Sequence, residues 1–401
     1  MYNIALRRLP VHLLAMTDVT TRSSRKMLSI ATEIGMARGL EGIRARPVAL
    51  AAGFSPSQVN YHFGGRDALL TAVHHVVREE QFSALSQMLE SVSRMPLHLR
   101  SIPGFMASAL AQLAHDARAR TLLLLELDLN AAKSGPLSSE MKEQEFWDCF
   151  DRVFSLAAGV AWKWKALFDG ALWCAVLDKD PISNAAFLSR LTFRFASRLN
   201  GLDDLPIPDE VRGDNHQRER DADVTGRHPR AAKIIDAAVR LLAKGEKIGH
   251  RAIAAEANVP LAATTYFFAS KTDILAEAYR LIYDRLVMQA PMTMGLSGEP
   301  VRLDGATREN QFLMARLILA SVRDDSLQPL AEHIRNSRGR SSTEALRKLG
   351  AVRADRLDGL LLALCHNGLN KLALHFPPAE RPLLFSEKSK ELLSSLFPEI
   401  C

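Results

Sequence analysis

The chain has 401 residues, 47% of them apolar and only 6% aromatic, and a formal net charge of +6 at pH 7. This length favours two or three domains, and the apolar content is ample for packed cores. No apolar run is long enough to span a bilayer, which excludes a transmembrane segment. None of the four cysteines forms a C-x-x-C pair or has a histidine at metal-ligand spacing, so we expect no metal or other cofactor. Reduced thiols of this kind indicate a cytoplasmic protein.

The positive charge is concentrated in two short windows. Residues 22–67 contain seven Lys or Arg against three Asp or Glu, and residues 227–273 contain eight against four. Each window has a net charge of +4, so the rest of the chain is slightly acidic. Clustered basic charge favours an acidic partner such as nucleic acid or a membrane surface.

The first window reads as a series of helices. Residues 1–21 are expected to form a tail rather than a signal peptide, with Met16 as an alternative start. Apolar spacing predicts a helix over 25–39, and PVALAA predicts a second over 47–52. Ser55 and Gln58 form a capping box that starts a third helix, which ends before a Gly-Gly pair. A long fourth helix follows from about Arg66 to Glu90, and together these elements predict an all-α protein.

The same order of elements returns in the second window. PLAATTYFFASKTDIL, residues 260–275, aligns with SPSQVNYHFGGRDALL, residues 55–70, at an offset of 205. A further likeness at an offset of 189 pairs LFDGALWCAVL, which starts at Leu167, with RLDGLLLALCH, which starts at Arg356. Residues 201–228 between the copies are charged and rich in Pro and Gly, which predicts a linker. The chain is therefore an internal duplication.

Two short helices joined by a tight turn are typical of a helix-turn-helix, whose second helix enters the DNA major groove. The segments VALAAGFSPSQVNYHFGGRDALL and IAAEANVPLAATTYFFASKTDIL resemble the DNA-binding domain of the TetR family of one-component transcriptional regulators. Beyond these blocks the chain matches the family only as Leu- and Ala-rich helices. The resemblance implies two tandem units in one chain, each a three-helix DNA-binding domain followed by a helical domain for ligand binding and dimerisation. The implied boundaries are a tail (1–21), a DNA-binding domain (22–68), a regulatory domain (69–200), the linker (201–228), a second DNA-binding domain (229–275) and a second regulatory domain (276–401).

The third helix of each block carries the candidate base contacts. Gln and Asn side chains can bind adenine through two hydrogen bonds, and Thr methyl groups can pack on thymine. Gln58 has a second interpretation, as a capping-box partner alone, and Tyr61 has one as a phosphate contact. Because the second copy has fewer polar groups, we expect an asymmetric operator. The candidates are Ser57, Gln58, Asn60 and Tyr61 in the first copy, and Thr264, Thr265 and Tyr266 in the second.

Five basic residues are candidates for phosphate contacts. Arg66 and Lys271 open the fourth helix of their blocks, where the family has its phosphate-binding lysine. A helix N-terminus at that point adds a favourable field for an anion. Arg44, Arg46 and Arg251 are further candidates, and a solvated surface is the alternative for each of these three.

The two predicted regulatory domains contain a smaller set of candidate residues, for ligand binding. Trp147, Phe150, Trp173 and His366 are candidates for lining a pocket for a small apolar ligand, with ordinary helix packing as the alternative. TetR-like proteins normally form homodimers with one unit per chain. We therefore expect the two units to pair within one chain as a pseudo-dimer, and a homodimer with four reading heads is the alternative.

These observations favour a ligand-responsive transcriptional regulator, most simply a repressor, that binds a double-stranded DNA operator. The alternative is a non-specific DNA-binding or scaffolding protein whose second block no longer reads sequence. An enzyme is not expected, because the chain has no Ser-His-Asp order, P-loop, metal motif or Gly-rich nucleotide signature in context.

Overall fold

A computed structural model describes residues 22–134, 141–202, 228–244, 249–289, 305–377 and 379–400. Within these ranges every regular element is helical and there is no strand, which confirms the all-α prediction. None of the helices in this part of the chain is both long and apolar enough to cross a bilayer. The predicted tail, residues 1–21, and residues 203–227 of the predicted linker lie outside the described ranges.

The helices are numbered in chain order through both halves of the sequence. The first half contains α1 (Arg22–Arg38), α2 (Ala45–Ala52), α3 (Pro56–Phe63), α4 (Arg66–Ser93), α5 (Ile102–Ala114), α6 (Arg118–Ser134), α7 (Met141–Phe154), α8 (Ala161–Ala175) and α9 (Pro181–Leu199). The second half contains α10 (Pro229–Lys244), α11 (His250–Ala257), α12 (Leu261–Phe267), α13 (Lys271–Gln289), α14 (Gly305–Arg323), α15 (Gln328–Ser337), α16 (Arg340–Leu349), α17 (Arg356–Ala373) and α18 (Arg381–Leu396).

The chain divides into two compact units whose boundaries differ from those of the duplicated halves. The described part of the first unit is 22–85, 119–134 and 141–144, and the second unit holds the remaining described residues. In the first unit, α1, α2 and α3 share one core with the start of α4 and with α6. The Glu126 side chain on α6 also accepts a hydrogen bond from the Leu40 backbone N–H, at 2.8 Å. Helix α6 therefore belongs structurally with the first three-helix block.

The second three-helix block, α10 to α12, lies in the second unit and packs around its own core with α13. The residues of this core are Ala231, Ile234, Ile235, Ala237, Ala238, Leu241, Ile253, Ala257, Phe268, Ile274 and Ala278. They include the positions that helical spacing predicts to be apolar, such as Ile253 and Ala257.

Also in the second unit, α8 from the first half crosses α17 from the second half at close range. A Cβ built on Gly170 would lie 1.8 Å from the Leu364 carbonyl oxygen, and one built on Gly368 would lie 1.9 Å from the Ala166 carbonyl oxygen. Each glycine thus faces the residue four positions before the other glycine. A reciprocal contact of this kind is characteristic of a two-fold interface, here formed between two segments of one chain.

This crossing differs from the likeness found in the sequence. The offset of 189 pairs Gly170 with Gly359, but Gly359 faces α16 instead, where an added Cβ would lie 2.1 Å from Thr343 Oγ1. At the crossing, Gly170 corresponds to Gly368, which is an offset of 198. The glycines of the repeated Asp-Gly pair therefore make different contacts. Gly170 allows the close approach of α17 from the opposite half, whereas Gly359 allows the close approach of α16 from its own half.

Buried ion pairs accompany the crossing. Arg194 on α9 pairs with Asp355 at 2.9 Å, and both side chains are almost fully buried. The Lys371 ammonium on α17 donates to Asp169 on α8 at 3.0 Å, and Lys165 donates to the other oxygen of the same carboxylate at 3.0 Å. Charges from both halves are thus removed from water together and compensated by one another.

Candidate functional site

Helix α3 begins with the capping box that the sequence predicts. The Ser55 side chain accepts a hydrogen bond from the Gln58 backbone N–H, and the Gln58 side chain accepts one from the Ser55 backbone N–H at 2.8 Å. Gly64 ends the helix in the left-handed conformation, with φ of 74°, which a residue with a side chain adopts less readily. Local sequence therefore determines both ends of this eight-residue helix.

The buried and exposed faces of α3 are clearly separated. Val59 and Phe63 point into the core, whereas Ser57, Asn60 and Tyr61 face solvent. Tyr61 is 86% exposed, which is unusual for a large aromatic side chain. The three exposed residues form the outward surface of α3 that the sequence analysis assigns to base contacts.

Gln58 is exposed as well, but its side-chain oxygen is engaged in the capping box. The structure therefore shows Gln58 as a capping-box partner, and its contact with bases stays a prediction. A base contact by Gln58 would have to use its amide nitrogen or break the cap, which would cost helix stability.

Helix α12 in the second block presents a similar surface with fewer hydrogen-bonding groups. Thr265 and Tyr266 face solvent, and Tyr266 is 83% exposed. The Thr265 hydroxyl donates to the Ala262 carbonyl at 3.1 Å. Pro260, the N-cap residue of α12, has no side-chain group that can accept a hydrogen bond from the helix, in contrast to Ser55 in the first block.

The sequence analysis includes Thr264 among the candidates for base contacts, but the structure places its side chain in the core. Thr264 is fully buried, its hydroxyl donates to the Leu261 carbonyl at 2.8 Å, and the same oxygen lies 3.0 Å from His250 Nδ1. The residue at this position in the first block is Val59, which is also buried. A polar residue type suggested an exposed position, whereas the helix geometry gives Thr264 the place of a core residue.

The basic candidates differ in how freely their charges face solvent. Arg66 donates to the backbone carbonyls of Ile43 and Leu40, at 3.1 and 3.0 Å, and so ties α4 to the connection between α1 and α2. Arg44 forms an ion pair with Glu41, and this hydrogen bond is the largest cause of the lowered pKa of Glu41. Phosphate binding by Arg66 or Arg44 would compete with these contacts.

Three other predicted cations are exposed on the two blocks. They are Arg46 on α2, Arg251 on α11 and Lys271 at the first position of α13. Lys271 therefore stands at a helix N-terminus, where the aligned N–H groups favour an anion. These three side chains are better placed for phosphate contacts than Arg44.

The predicted ligand residues of the first half belong to a packed aromatic cluster. Phe150 is fully buried and Trp147 nearly so, and their rings meet edge to face with centroids 5.3 Å apart. Trp147 also meets the Phe168 ring edge to face at 5.8 Å. Trp173 is only partly buried. The ring contacts favour the helix-packing alternative for Trp147 and Phe150.

His366 on α17 is buried in a different way. The Leu362 backbone is the only hydrogen-bonding group beside its ring nitrogens in the described part of the chain, and this contact falls short of normal hydrogen-bond geometry. Its ring lies against Phe385 of α18, with centroids 5.7 Å apart. Burial lowers the pKa of His366 to about 4, against a smaller opposite effect of the Leu362 carbonyl, so the imidazole is neutral at pH 7.

Two further buried polar groups were not among the predicted site residues. They are the indole N–H of Trp162 on α8 and the hydroxyl of Ser389 on α18, and neither has a hydrogen-bond partner in the described chain. The sequence gives no signal for Ser389, since a lone serine in a helix is normally exposed or bonded to its own backbone. Among the described residues no group of three or more His, Cys, Asp or Glu side chains is arranged to hold a metal ion.

Comparison with models of known protein families and with curated proteins finds no match for this chain.

Proposed function

We propose that this chain is a sequence-specific DNA-binding transcriptional regulator of the TetR type, acting as a ligand-responsive repressor. The observation that carries the proposal is the equivalent exposure of Tyr61 and Tyr266. Each tyrosine lies two positions after a buried residue of its short helix, Val59 or Thr264, and is more than 80% exposed. Tyrosine contributes both a ring and a hydroxyl to contacts with DNA, so its display on both copies is explained by a nucleic-acid partner.

The charge distribution supports the same partner. The two windows that contain these helices each have a net charge of +4, although the remaining chain is slightly acidic. Arg46, Arg251 and Lys271 are exposed on these blocks and could neutralise phosphates. Asn60 and Ser57 supply base-reading hydrogen bonds in the first copy, whereas the second offers mainly the Thr265 methyl and Tyr266.

We further propose that the two duplicated halves of the sequence pair within one chain as a pseudo-dimer. The reciprocal crossing of α8 and α17 supports this arrangement, because it uses one surface from each half in an equivalent way. A single chain would then have a mass of 44.3 kDa in solution. A homodimer, with twice that mass and four reading heads, is the alternative that light scattering distinguishes.

The remaining features of the proposal follow from the family resemblance. A small, largely apolar ligand in the regulatory helices would favour one of two states that differ in DNA affinity. We place the protein in the cytoplasm, in keeping with Cys149, Cys174 and Cys365, which are all free thiols.

The second candidate function is non-specific DNA binding or scaffolding with a degenerate second reading head. It is favoured by the burial of Thr264, which leaves α12 with one polar group fewer than the sequence suggested. The two functions differ in their dependence on DNA sequence rather than on charge.

A salt titration separates them. The full chain is titrated with duplexes from the DNA that flanks its own gene and with shuffled duplexes of equal length, at about 50 and 200 mM salt. The proposal predicts that one flanking duplex retains an affinity at least about 1,000-fold above that of its shuffled control. Equal affinities with equal salt slopes would contradict the repressor and support the scaffolding protein.

A further inference from the structure

The equivalence of the two halves extends from the α8–α17 crossing to the helices that follow, α9 and α18. A longer connection in the second half changes the offset there from 198 to 201, which aligns Pro181 with Pro382. At this offset buried residues of α9 correspond to buried residues of α18, and the aligned pairs are Leu188 with Ser389, Leu191 with Leu392, and Phe195 with Leu396. The alignment therefore shows which side chains occupy equivalent places in the two halves.

The ion pairs between α9 and the second half all have the same direction. Arg194 pairs with Asp355 at 2.9 Å, and Arg198 pairs with Asp358 at 2.6 Å. Arg198 also lies 3.6 Å from the Glu399 carboxylate, just after α18. In each of these contacts the first half supplies the cation and the second half supplies the carboxylate.

The contact between α18 and the start of α8 has this direction as well. The Lys163 ammonium on α8 donates to the Ser395 hydroxyl on α18 at 2.7 Å and lies 3.9 Å from the Glu391 carboxylate. The pair of Lys371 with Asp169 has the reverse direction, but it too joins one half to the other. All these contacts therefore require one copy of each half.

The equivalent positions do not repeat the charges. The residues Arg194, Arg198, Asp355 and Asp358 correspond in the other half to Ser395, Glu399, Ala157 and Val160, respectively. Arg198 and its own counterpart Glu399 contact each other, so this position lies close to the axis that relates the halves. The two halves are thus alike in their helices and complementary in their charges.

A pair of like halves, taken from two chains, would lose this compensation. Two first halves would bring Arg198 against a second Arg198 and place Arg194 beside Lys163. Two second halves would bring Glu399 against a second Glu399, close to the fully buried Asp358. Burying charges without partners of opposite sign is strongly unfavourable, and like charges in contact add repulsion.

We propose that Arg194 and Arg198 of the first half, with Asp355, Asp358 and Glu399 of the second, determine which halves pair. They allow a first half to bind a second half and exclude pairs of like halves. The glycine contacts of the α8–α17 crossing do not make this distinction, because each half has its own glycine at the equivalent position. The inference rests on the proposed pairing of the duplicated halves and adds the residues that make it selective.

The test removes the covalent connection so that the halves can choose their partners. A protease site is placed in the predicted linker, residues 201–228, and the folded full chain is cleaved there. Native mass spectrometry then distinguishes first–first, second–second and first–second complexes by their masses. Mixing ¹⁴N- and ¹⁵N-labelled complexes, at a temperature where they exchange halves, ensures that the choice is free. We expect the cleaved wild type to remain almost entirely in first–second complexes.

A matched pair of variants changes the selectivity by design. Ser395→Arg with Glu399→Arg gives the second half a cation at each position where the first half has one. Two second halves can then compensate each other's aspartates, so we expect second–second complexes to increase at least about tenfold over the wild type. Ser394→Arg with Glu387→Arg makes the same changes on the exposed side of α18 and should pair as the wild type does.

Four results would overturn the inference. They are like-half complexes in the cleaved wild type at the share expected from random pairing, separation of its halves into single species, no increase of second–second complexes in Ser395→Arg with Glu399→Arg, or the same increase in the control. The mass of the intact chain is measured separately. An intact dimer that gives only first–second complexes after cleavage would contradict pairing within one chain and leave the selectivity standing.

Discussion

Arg198 on α9 donates two hydrogen bonds to the carboxylate of Asp358 on α17, at 3.0 and 2.6 Å. Asp358 is fully buried, and its carboxylate also accepts the Asp355 backbone N–H as part of the cap of α17. One carboxylate therefore both starts a helix of the second half and binds an arginine of the first. The pairing of the halves is thus built into the local structure of α17.

Replacing the negative charge of Asp358 should lower the stability of the second compact unit as a whole. Asp358→Asn keeps the size and a cap acceptor, but it leaves Arg198 without its buried counter-charge. We expect the free energy of unfolding to fall by about 3 kcal/mol in urea denaturation, as for other buried pairs that lose one partner. Asp325→Asn, which removes the exposed partner of Lys179, is the control and should cause little measurable change. Similar small effects for both variants would contradict the assigned role of Asp358.

The close crossing of α8 and α17 gives a second prediction. Gly170→Ala should lower the free energy of unfolding by at least about 2 kcal/mol, because the added methyl would overlap the Leu364 backbone. Helix propensity alone would give the opposite sign, a gain of about 1 kcal/mol. Gly249→Ala, at the N-cap of α11, is the control for adding a methyl group in open space, since nothing lies within 4 Å of the Cβ that it adds, and it should change stability by less than about 1 kcal/mol. A Gly170→Ala variant as stable as the wild type would show that the helices separate easily.

Local features of this fold could be predicted from the sequence, and contacts between distant segments could not. The sequence predicts the capping box because all its hydrogen bonds join two residues, Ser55 and Gln58, that lie three positions apart. The burial of Thr264 depends on which face of α12 packs against α11. The alignment of Thr264 with the apolar Val59 is the one feature of the sequence that indicates a buried position. The pairing of Gly170 with Gly368 depends on how two halves fold together, and the repeated Asp-Gly pair pointed to a different equivalence.

The buried histidine should make stability depend on pH. Burial lowers the pKa of His366 from 6.5 to about 4, so the unfolded chain binds a proton that the folded chain does not. His366 should therefore destabilise the fold as the pH falls from about 6.5 to about 4, by about 3 kcal/mol in all. Urea denaturation at several pH values should show that the free energy of unfolding falls less steeply with decreasing pH for His366→Phe than for the wild type. Parallel curves for the two proteins would contradict the neutral, buried state.

The buried position of Thr264 leads to a prediction about DNA affinity. Thr264→Val restores the residue type of Val59 and should leave the affinity for a specific duplex within about twofold, because the side chain does not reach solvent. Tyr266→Ala, two positions later on the exposed surface, should weaken binding by about tenfold or more through lost DNA contacts. Binding isotherms by fluorescence anisotropy measure both. A large loss for Thr264→Val with an unchanged fold would restore Thr264 to the base-contacting set.

The two reading heads should differ in their contribution to specificity. Asn60→Ala and Tyr61→Ala remove exposed groups from α3, which has the richer set of hydrogen bonds. They should weaken specific binding more than Thr265→Ala and Tyr266→Ala do on α12, by about 1 kcal/mol or more when compared position by position. Footprint titrations of the four variants on one operator measure the affinity that each variant loses. Equal losses in both heads would show that the second copy reads DNA as well as the first.

Selection of binding sites from random duplexes is the most direct test of the central claim, that this single chain reads specific DNA through two unequal heads. The full-length protein is carried through rounds of selection, and the enriched sequences are aligned. The account predicts one enriched site with two different half-sites, bound by one chain, with Asn60→Ala relaxing the sequence of only one half. No enrichment over the starting pool would contradict sequence-specific binding, and a perfect inverted repeat with equal information in both halves would contradict the unequal heads.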